Sequence, residues 1–270
     1  MSRFLRLAFV FGSAAFFAVM WGRLLRAHLP SAQPPPFRPD YARLLAEDQE
    51  STSAEWDVYF ADQRVGKCMT AIERTSTGQI TLQANTLVSV GPLVSRVLGV
   101  SGDLDLAFRA GVSPLRGLQS FDAESRALDT VLRGAVLRGE IMLSGDVGGE
   151  RVNARVPFEE DALLGGALSP LAGLPQLDER SVGTSWRLHL VNPIVGRLEE
   201  VIGTVMGYRT VLLDGKETDV FQVRFMAGSN QWTSWVTSEG DALVQGTPFG
   251  ITLRRADVPS EVIGTLSPEP

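Results

Sequence analysis

Ile80-Thr81-Leu82-Gln83-Ala84-Asn85-Thr86-Leu87-Val88-Ser89-Val90 sets the period of this chain. Ile80, Leu82, Ala84, Thr86, Val88 and Val90 alternate with Thr81, Gln83, Asn85 and Ser89, a repeat of two rather than 3.6, as in a strand with one buried face. Upstream, Trp56, Val58 and Phe60 share a face. Beyond a turn at Asp62-Gln63, Val65, Met69 and Ala71 alternate with Cys68, Thr70 and Ile72, and Thr77-Gly78 marks the next turn. The result is a three-stranded meander.

Downstream the pattern continues. Leu104, Leu106 and Phe108 oppose Asp103, Asp105 and Arg109. Strands are expected at 128–133 and 137–143, with a hairpin across 145–149 into 152–156. The second half starts at Trp186-Arg187-Leu188-His189-Leu190. It continues through 199–208, 210–213, an Asp214-Gly215 hairpin turn, 219–226, 232–237, a turn at Glu239-Gly240, 242–246 and 251–255. About twelve strands at this spacing predict a mainly β protein: an antiparallel curved sheet, half-barrel or sandwich, with short helices. A short helix is expected at 41–50, where Leu44 and Leu45 give one apolar edge.

The N-terminus differs in kind. Arg6 and Arg23 flank an uncharged run over 7–22 that includes Leu7, Phe11, Phe16, Phe17 and Trp21. A basic start followed by an apolar run is the grammar of an export signal. Leu25 and Pro30 stand at the −3 positions of the candidate cleavage sites, which favours an uncleaved transmembrane helix. The run is shorter than the ~20 residues of a typical span, and the flanking arginines can snorkel to lengthen it. Five prolines between Pro30 and Pro39 then form a semi-rigid spacer. The expected organisation is therefore 1–27 membrane anchor, 28–53 linker with a short helix, 54–257 β-rich domain and 258–270 flexible tail. The arginine balance is mixed; an N-inside orientation puts the domain in the periplasm, on a single-pass inner-membrane anchor.

Composition narrows the partners. The formal net charge is −6, and the first 30 residues hold four arginines and no acid, so the remainder carries −10. That balance disfavours nucleic acid, which needs clustered Lys and Arg. Cys68 is the only cysteine, so an intramolecular disulfide is excluded.

Candidate chemistry is sparse. No phosphate-binding glycine loop or nucleophile elbow is present. Cys68 and His189 are the one nucleophile–base pair on offer. Both read more simply as strand residues, so no catalytic residue is assigned. The acidic pairs Asp103/Asp105 and Glu199/Glu200 and the run 159–161 read as solvated charge; no metal and no cofactor is expected. Two apolar, Gly- and Pro-bounded segments interrupt the strand pattern, one with Leu93, Val97 and Leu98, the other with Leu163, Leu164, Leu168 and Leu171. They suit either plugs over an open sheet end or a lid over an apolar groove. Trp232 and Trp235 are three apart and so face opposite ways in a strand. A sheet apolar on both faces needs a second covering layer or a ligand, unless a bulge shifts the phase; the nine residues together form the candidate apolar groove and lid.

The opening strands over 56–74, with Arg64-Val65-Gly66, and the closing pattern resemble a group of bacterial exported β-domains, some of which precede transglutaminase-like domains. The closing pattern comprises Trp232-Thr233-Ser234-Trp235-Val236, Glu239-Gly240, Leu243-Val244 and Pro248-Phe249-Gly250-Ile251-Thr252-Leu253-Arg254. The strand pattern is similar to the lipoprotein-carrier (Lol-type) half-barrel. That resemblance implies an apolar cavity inside a curved sheet; the transglutaminase-like Cys, His and Asp have no counterpart here. The reading that follows is a membrane-tethered envelope β-domain binding a lipid or lipidated protein. The alternative is a non-catalytic scaffold or assembly subunit of an envelope complex.

Overall fold

The computed structural model describes residues 34–37, 41–45, 48–91, 102–158, 174–192, 197–247 and 250–266. Eight strands form the first wing: β1 (Ser51–Phe60), β2 (Gln63–Arg74), β3 (Ile80–Val90), β4 (Gly102–Ser113), β5 (Gly117–Ser125), β6 (Thr130–Leu137), β7 (Glu140–Val147) and β8 (Glu150–Pro157). Six form the second: β9 (Ser185–Asn192), β10 (Arg197–Leu213), β11 (Lys216–Ala227), β12 (Asn230–Thr237), β13 (Ala242–Gly246) and β14 (Ile251–Arg255). Each wing is an antiparallel meander, and β1 pairs with β14 to join them in the order β8-β7-β6-β5-β4-β3-β2-β1-β14-β13-β12-β11-β10-β9.

The architecture is thus one open, curved antiparallel sheet of fourteen strands. Two corrections to the expected fold follow. A sandwich needs two separate sheets, and here the wings are hydrogen-bonded into one. The expected elements lack β5, because its buried positions Leu118, Phe121, Ala123 and Ser125 do not keep one alternation, and a register shift at Gly111/Val112 breaks the phase. Conversely, 199–208 and 210–213 are a single strand, β10, with a bulge between Val205 and Gly207.

One face of the sheet is buried almost throughout. Ile80, Leu82, Ala84 and Val88, then Leu104, Leu106, Phe108, Ala110 and Val112, form this inner face on β3 and β4. Their alternating neighbours Asn85, Leu87, Asp103 and Arg109 are exposed. The same cluster reaches Ile141 and Leu143 on one wing and Trp186, Leu188 and Leu190 on the other.

Two aromatic rings lie over cross-strand glycines on this face. Phe121 covers Gly134 of β6, where a Cβ would stand 2.1 Å from Phe121 Cε1. Trp186 covers Gly203 of β10, where a Cβ would stand 2.8 Å from Trp186 Cε2. A glycine under an aromatic ring lets the sheet bend without opening a void.

The bulge in β10 produces a second, outer core. Val205 faces inward, but beyond the bulge Val211 and Leu213 face outward, alongside Val220 and Trp235. Helix α1 (Ser260–Leu266) covers them, burying Ile263 and Leu266 with Val258. Thus residues 258–270, expected as a flexible tail, include an ordered helix. Arg209 holds it: the guanidinium lies 4.5 Å from the centre of the Trp235 ring and donates to the Thr265 carbonyl near the helix C-terminus.

The expected helix at 41–50 is a single 3₁₀ turn, Tyr41–Leu44. Ahead of it, the proline segment pairs with the edge strand β9. The Arg187 N–H donates to the Pro35 carbonyl at 2.9 Å, and the Phe37 N–H donates to the Arg187 carbonyl at 2.7 Å. Proline cannot donate to a ladder, so Phe37 supplies the one donor this contact needs. The expected anchor residues Leu7, Phe11, Phe16, Phe17 and Trp21 lie outside the described residues. Among the described residues no helix is long and apolar enough to cross a membrane.

The strand directions define two ends. The near end holds the β4–β5, β6–β7, β10–β11 and β12–β13 turns, the start of β1 and the arriving segment Pro35–Phe37. The far end holds the β1–β2, β5–β6, β7–β8 and β11–β12 turns.

Candidate functional site

The inner face of the second wing carries an aromatic row. Register places Trp186, Gly203, Phe225 and Trp232 side by side on β9 to β12. Phe225 stacks on Trp232 with ring centres 5.7 Å apart, and Phe37 tilts against Trp186 at 6.2 Å. All three strand aromatics are at most 7% exposed.

Two polar atoms on this face are buried without a hydrogen-bond partner among the described residues: Trp186 Nε1 and Ser234 Oγ. Such groups cost on the order of 1–3 kcal/mol each when left unsatisfied. They are three strands and two residues apart, roughly 16 Å along the sheet. The polar residues buried in the domain, among those described, are all uncharged: Thr86, Ser125, Thr130, Ser234, Thr237, Gln245 and Thr247. The chemistry of this face is therefore apolar with isolated hydrogen-bonding atoms, and among the described residues it carries no buried carboxylate, imidazole or ammonium.

Of the nine residues expected to form a groove and lid, two, Trp232 and Trp235, fall among the described residues. Leu93, Val97, Leu98, Leu163, Leu164, Leu168 and Leu171 lie outside the described residues. Their flanks are nevertheless placed: Gly91 and Gly102 border residues 92–101 at the far end, whereas Phe158 and Leu174 border residues 159–173 at the near end. Trp232 faces inward into the aromatic row. Trp235 faces outward and is covered by α1, so the apolar character of both faces of β12 reflects a second protein core, not one cavity. Trp186, Phe225 and Ser234 are the residues that sequence reasoning passed over as site candidates. A Trp opening a strand was visible; the glycine beneath it and the unpaired Ser needed the register.

Cys68 and His189 cannot act together. Cys68 is fully buried on the inner face of β2, while His189 alternates with inward-facing Leu188 and Leu190 and so points outward on β9. Burial also pushes the Cys68 thiol up to about 11, against a smaller opposing effect of its hydrogen bond with Thr86. A thiol held protonated is a poor nucleophile. Of the acidic pairs, Asp103 is exposed, and Asp105 accepts a hydrogen bond from the Ala127 N–H at 3.3 Å across the β5–β6 turn.

The outer face of the first wing holds a polar trough of about 350 Å³. Its cross-strand row reads Gln83, Arg109, Asp122, Arg133 on β3 to β6, with Glu124 and Val131 alongside. Arg133 and Asp122 form an exposed ion pair at 3.5 Å.

No family model and no curated protein matches the chain. Among solved structures, a beta-barrel-like protein of domain of unknown function DUF1849 from Brucella abortus has a similar fold. It has a TM-score of 0.50 and 8% identity, over 77% of this chain and 96% of that one. At that identity the likeness extends to the fold alone, a β-barrel-like domain.

Proposed function

We propose that this protein is a membrane-tethered envelope β-domain whose curved sheet takes an apolar ligand, the acyl part of a lipid or of a lipidated protein, on its inner face. The observation that carries the reading is the aromatic row Trp186–Phe225–Trp232 with its two unsatisfied polar atoms. An acyl chain fills apolar space, and ester or amide oxygens at its polar end accept from an indole N–H or a hydroxyl. A sheet of fourteen strands also supports it, because about eight strands already enclose a space that side chains can fill, and wider ones leave room. The likeness of the strand pattern to lipoprotein-carrier half-barrels points to the same ligand class. The anchor and proline spacer favour tethered action at the periplasmic face of the inner membrane.

Mass spectrometry of organic extracts from natively purified protein tests this. A co-purifying lipid is expected, with retention lowered by Trp186→Phe and Ser234→Ala, which remove the polar atoms and keep the fold. Repeated absence of lipid from wild-type extracts overturns it.

The polar trough on the outer face favours a second reading, a non-catalytic scaffold that docks another envelope protein there. Purification at native expression in mild detergent separates the two: a lone monomer sinks the scaffold reading.

A further inference from the structure

We propose that the near end of the sheet docks on an anionic phospholipid surface through two hairpin tips, Pro114-Leu115-Arg116 and Leu137-Arg138, with the leucines among the headgroups and the arginines on lipid phosphates. The inference rests on the membrane-tether reading above and adds to it a face and an orientation.

Leu115 is 96% exposed and Leu137 61%, the highest fractions among the large apolar side chains described. They sit on neighbouring tips of one end, two strand spacings apart, or about 10 Å. Each is followed directly by an exposed arginine, Arg116 or Arg138. Exposed leucine beside a cation is the composition of an interfacial contact: the apolar group enters the acyl boundary and the charge stays at phosphate depth.

Turn chemistry does not explain Arg138. Its φ is +53°, and the equivalent place in the β10–β11 turn is taken by Asp214 at +51°. Asp suits that conformation because its short side chain bonds locally, and arginine has no such advantage.

The occupant follows from where the chain arrives. Pro35–Phe37 joins β9 near its start, at this end. Tyr41 then packs by the foot of the first tip, where a Cβ on Gly117 would lie 3.8 Å from its ring. Residues 23–34, twelve in all, separate the apolar run from this point. Fully extended they reach at most about 40 Å, so a tethered domain presents its near end within contact range of the bilayer.

Charge selects which part of that end makes contact. Under the second wing the near end carries Asp178, Glu179, Asp214, Glu217, Glu239, Asp241 and Asp257 against Arg180, Lys216 and Arg255, a net negative charge that an anionic surface repels. Under the first wing the near end balances Arg43, Arg74, Arg116 and Arg138 against Asp48, Glu50, Glu73 and Glu140, with only Glu140 on the two tips. The far-end tips hold Asp62, Arg126, Leu128, Asp129, Gly148, Gly149, Gly228 and Ser229, and Leu128 packs against the core instead of projecting beside Arg126.

The test uses the full chain reconstituted into phosphatidylcholine vesicles containing phosphatidylglycerol. An environment-sensitive fluorophore is placed at Leu115→Cys, Leu137→Cys or, as a far-end control, Ser229→Cys; buried Cys68 stays unlabelled in the folded chain. With the chain floating with the vesicles, labels at 115 and 137 are expected to be quenched by headgroup-proximal doxyl lipids, and the label at 229 is not. Replacing each arginine by glutamine lowers the docked-to-undocked ratio roughly fivefold. A floating chain whose labels at 115 and 137 are as water-exposed as that at 229 overturns the docking and leaves the tether standing. A chain that does not float overturns both. Shielding of the same labels in lipid-free micelles that rises with protein concentration assigns the tips to a second copy and overturns the lipid assignment. Hydrogen exchange on the unmodified chain guards against misfolded variants: slower exchange at 114–117 and 137–139 in vesicles than in micelles is expected, and equal rates count against docking.

Discussion

Replacing Gly134 by alanine tests how the sheet is bent. The new Cβ would lie 2.1, 2.5 and 2.7 Å from Phe121 Cε1, Cζ and Cδ1, against roughly 3.5–4.0 Å for carbon atoms in contact. Relief needs a shift of more than about 1 Å in a ring that is 1% exposed and stacked on Phe108 at 6.2 Å. Overpacking of this kind costs typically 1–3 kcal/mol, and the geometry puts Gly134→Ala near the top, about 3 kcal/mol. Phe121→Ala alone costs about 3–5 kcal/mol by leaving a cavity. In the double variant the methyl added at position 134 enters that cavity and meets no ring. Its own penalty then vanishes, and alanine gains slightly over glycine in a strand. The double variant is thus expected to be less destabilised than the sum of the singles by roughly 2–3 kcal/mol. Equilibrium urea unfolding of the full chain in mild nonionic detergent, followed by tryptophan fluorescence and far-ultraviolet circular dichroism, gives all four corners of the cycle. Additivity within about 0.5 kcal/mol, or a neutral Gly134→Ala, would show that the ring does not hold the glycine and refute the reasoning.

Three further outcomes follow. Trp235→Ala should cost about 3–5 kcal/mol and speed hydrogen exchange selectively in residues 260–266, because it removes both the outer core and the ring under Arg209; unchanged exchange there means α1 does not depend on Trp235. Burial raises the folded-state pKa of Cys68 to about 11, so its contribution to stability is fully present below the unfolded thiol pKa and is lost as pH rises through the folded value. Stability should therefore fall by a few kcal/mol between about pH 9 and 11, and less so in Cys68→Ala; a parallel decline in both would refute the assignment. Phe37→Ala should release the strap on β9 and raise exchange at the Arg187 amide, whose acceptor is the Pro35 carbonyl, and equal protection in both forms would show that the backbone contact holds alone.

The functional reading depends on the inner face, and its legibility was uneven. Trp232 stood out as an aromatic in an alternating strand, and it does face inward. Trp235 stood out equally and faces the other way, under a helix that the polar residues after Pro259 did not announce. Ser234, the residue between them, attracted no notice, because an unsatisfied hydroxyl is defined by what surrounds it. Cys68 and His189 were separable only once register put them on opposite faces.

Alternation over 56–60, 80–90, 104–108 and 232–237 and the turn pair Asp214-Gly215 were enough to establish a mainly β chain of antiparallel strands that opens with a meander. Both signals are local: side chains of a strand alternate whatever it pairs with, and a two-residue turn needs only its own backbone angles. Tertiary structure alone decided the rest. The pairing of β1 with β14, which makes one sheet of two meanders, joins residues about 200 positions apart. The bulge between Val205 and Gly207 moves Val211 and Leu213 to the outer face, so the same alternation serves two cores. The inward aim of Trp186, the strap at Pro35–Phe37 and the gathering of Leu115 and Leu137 at the end where the chain arrives are set by register and strand direction. Those depend on contacts between distant segments, which no local period records.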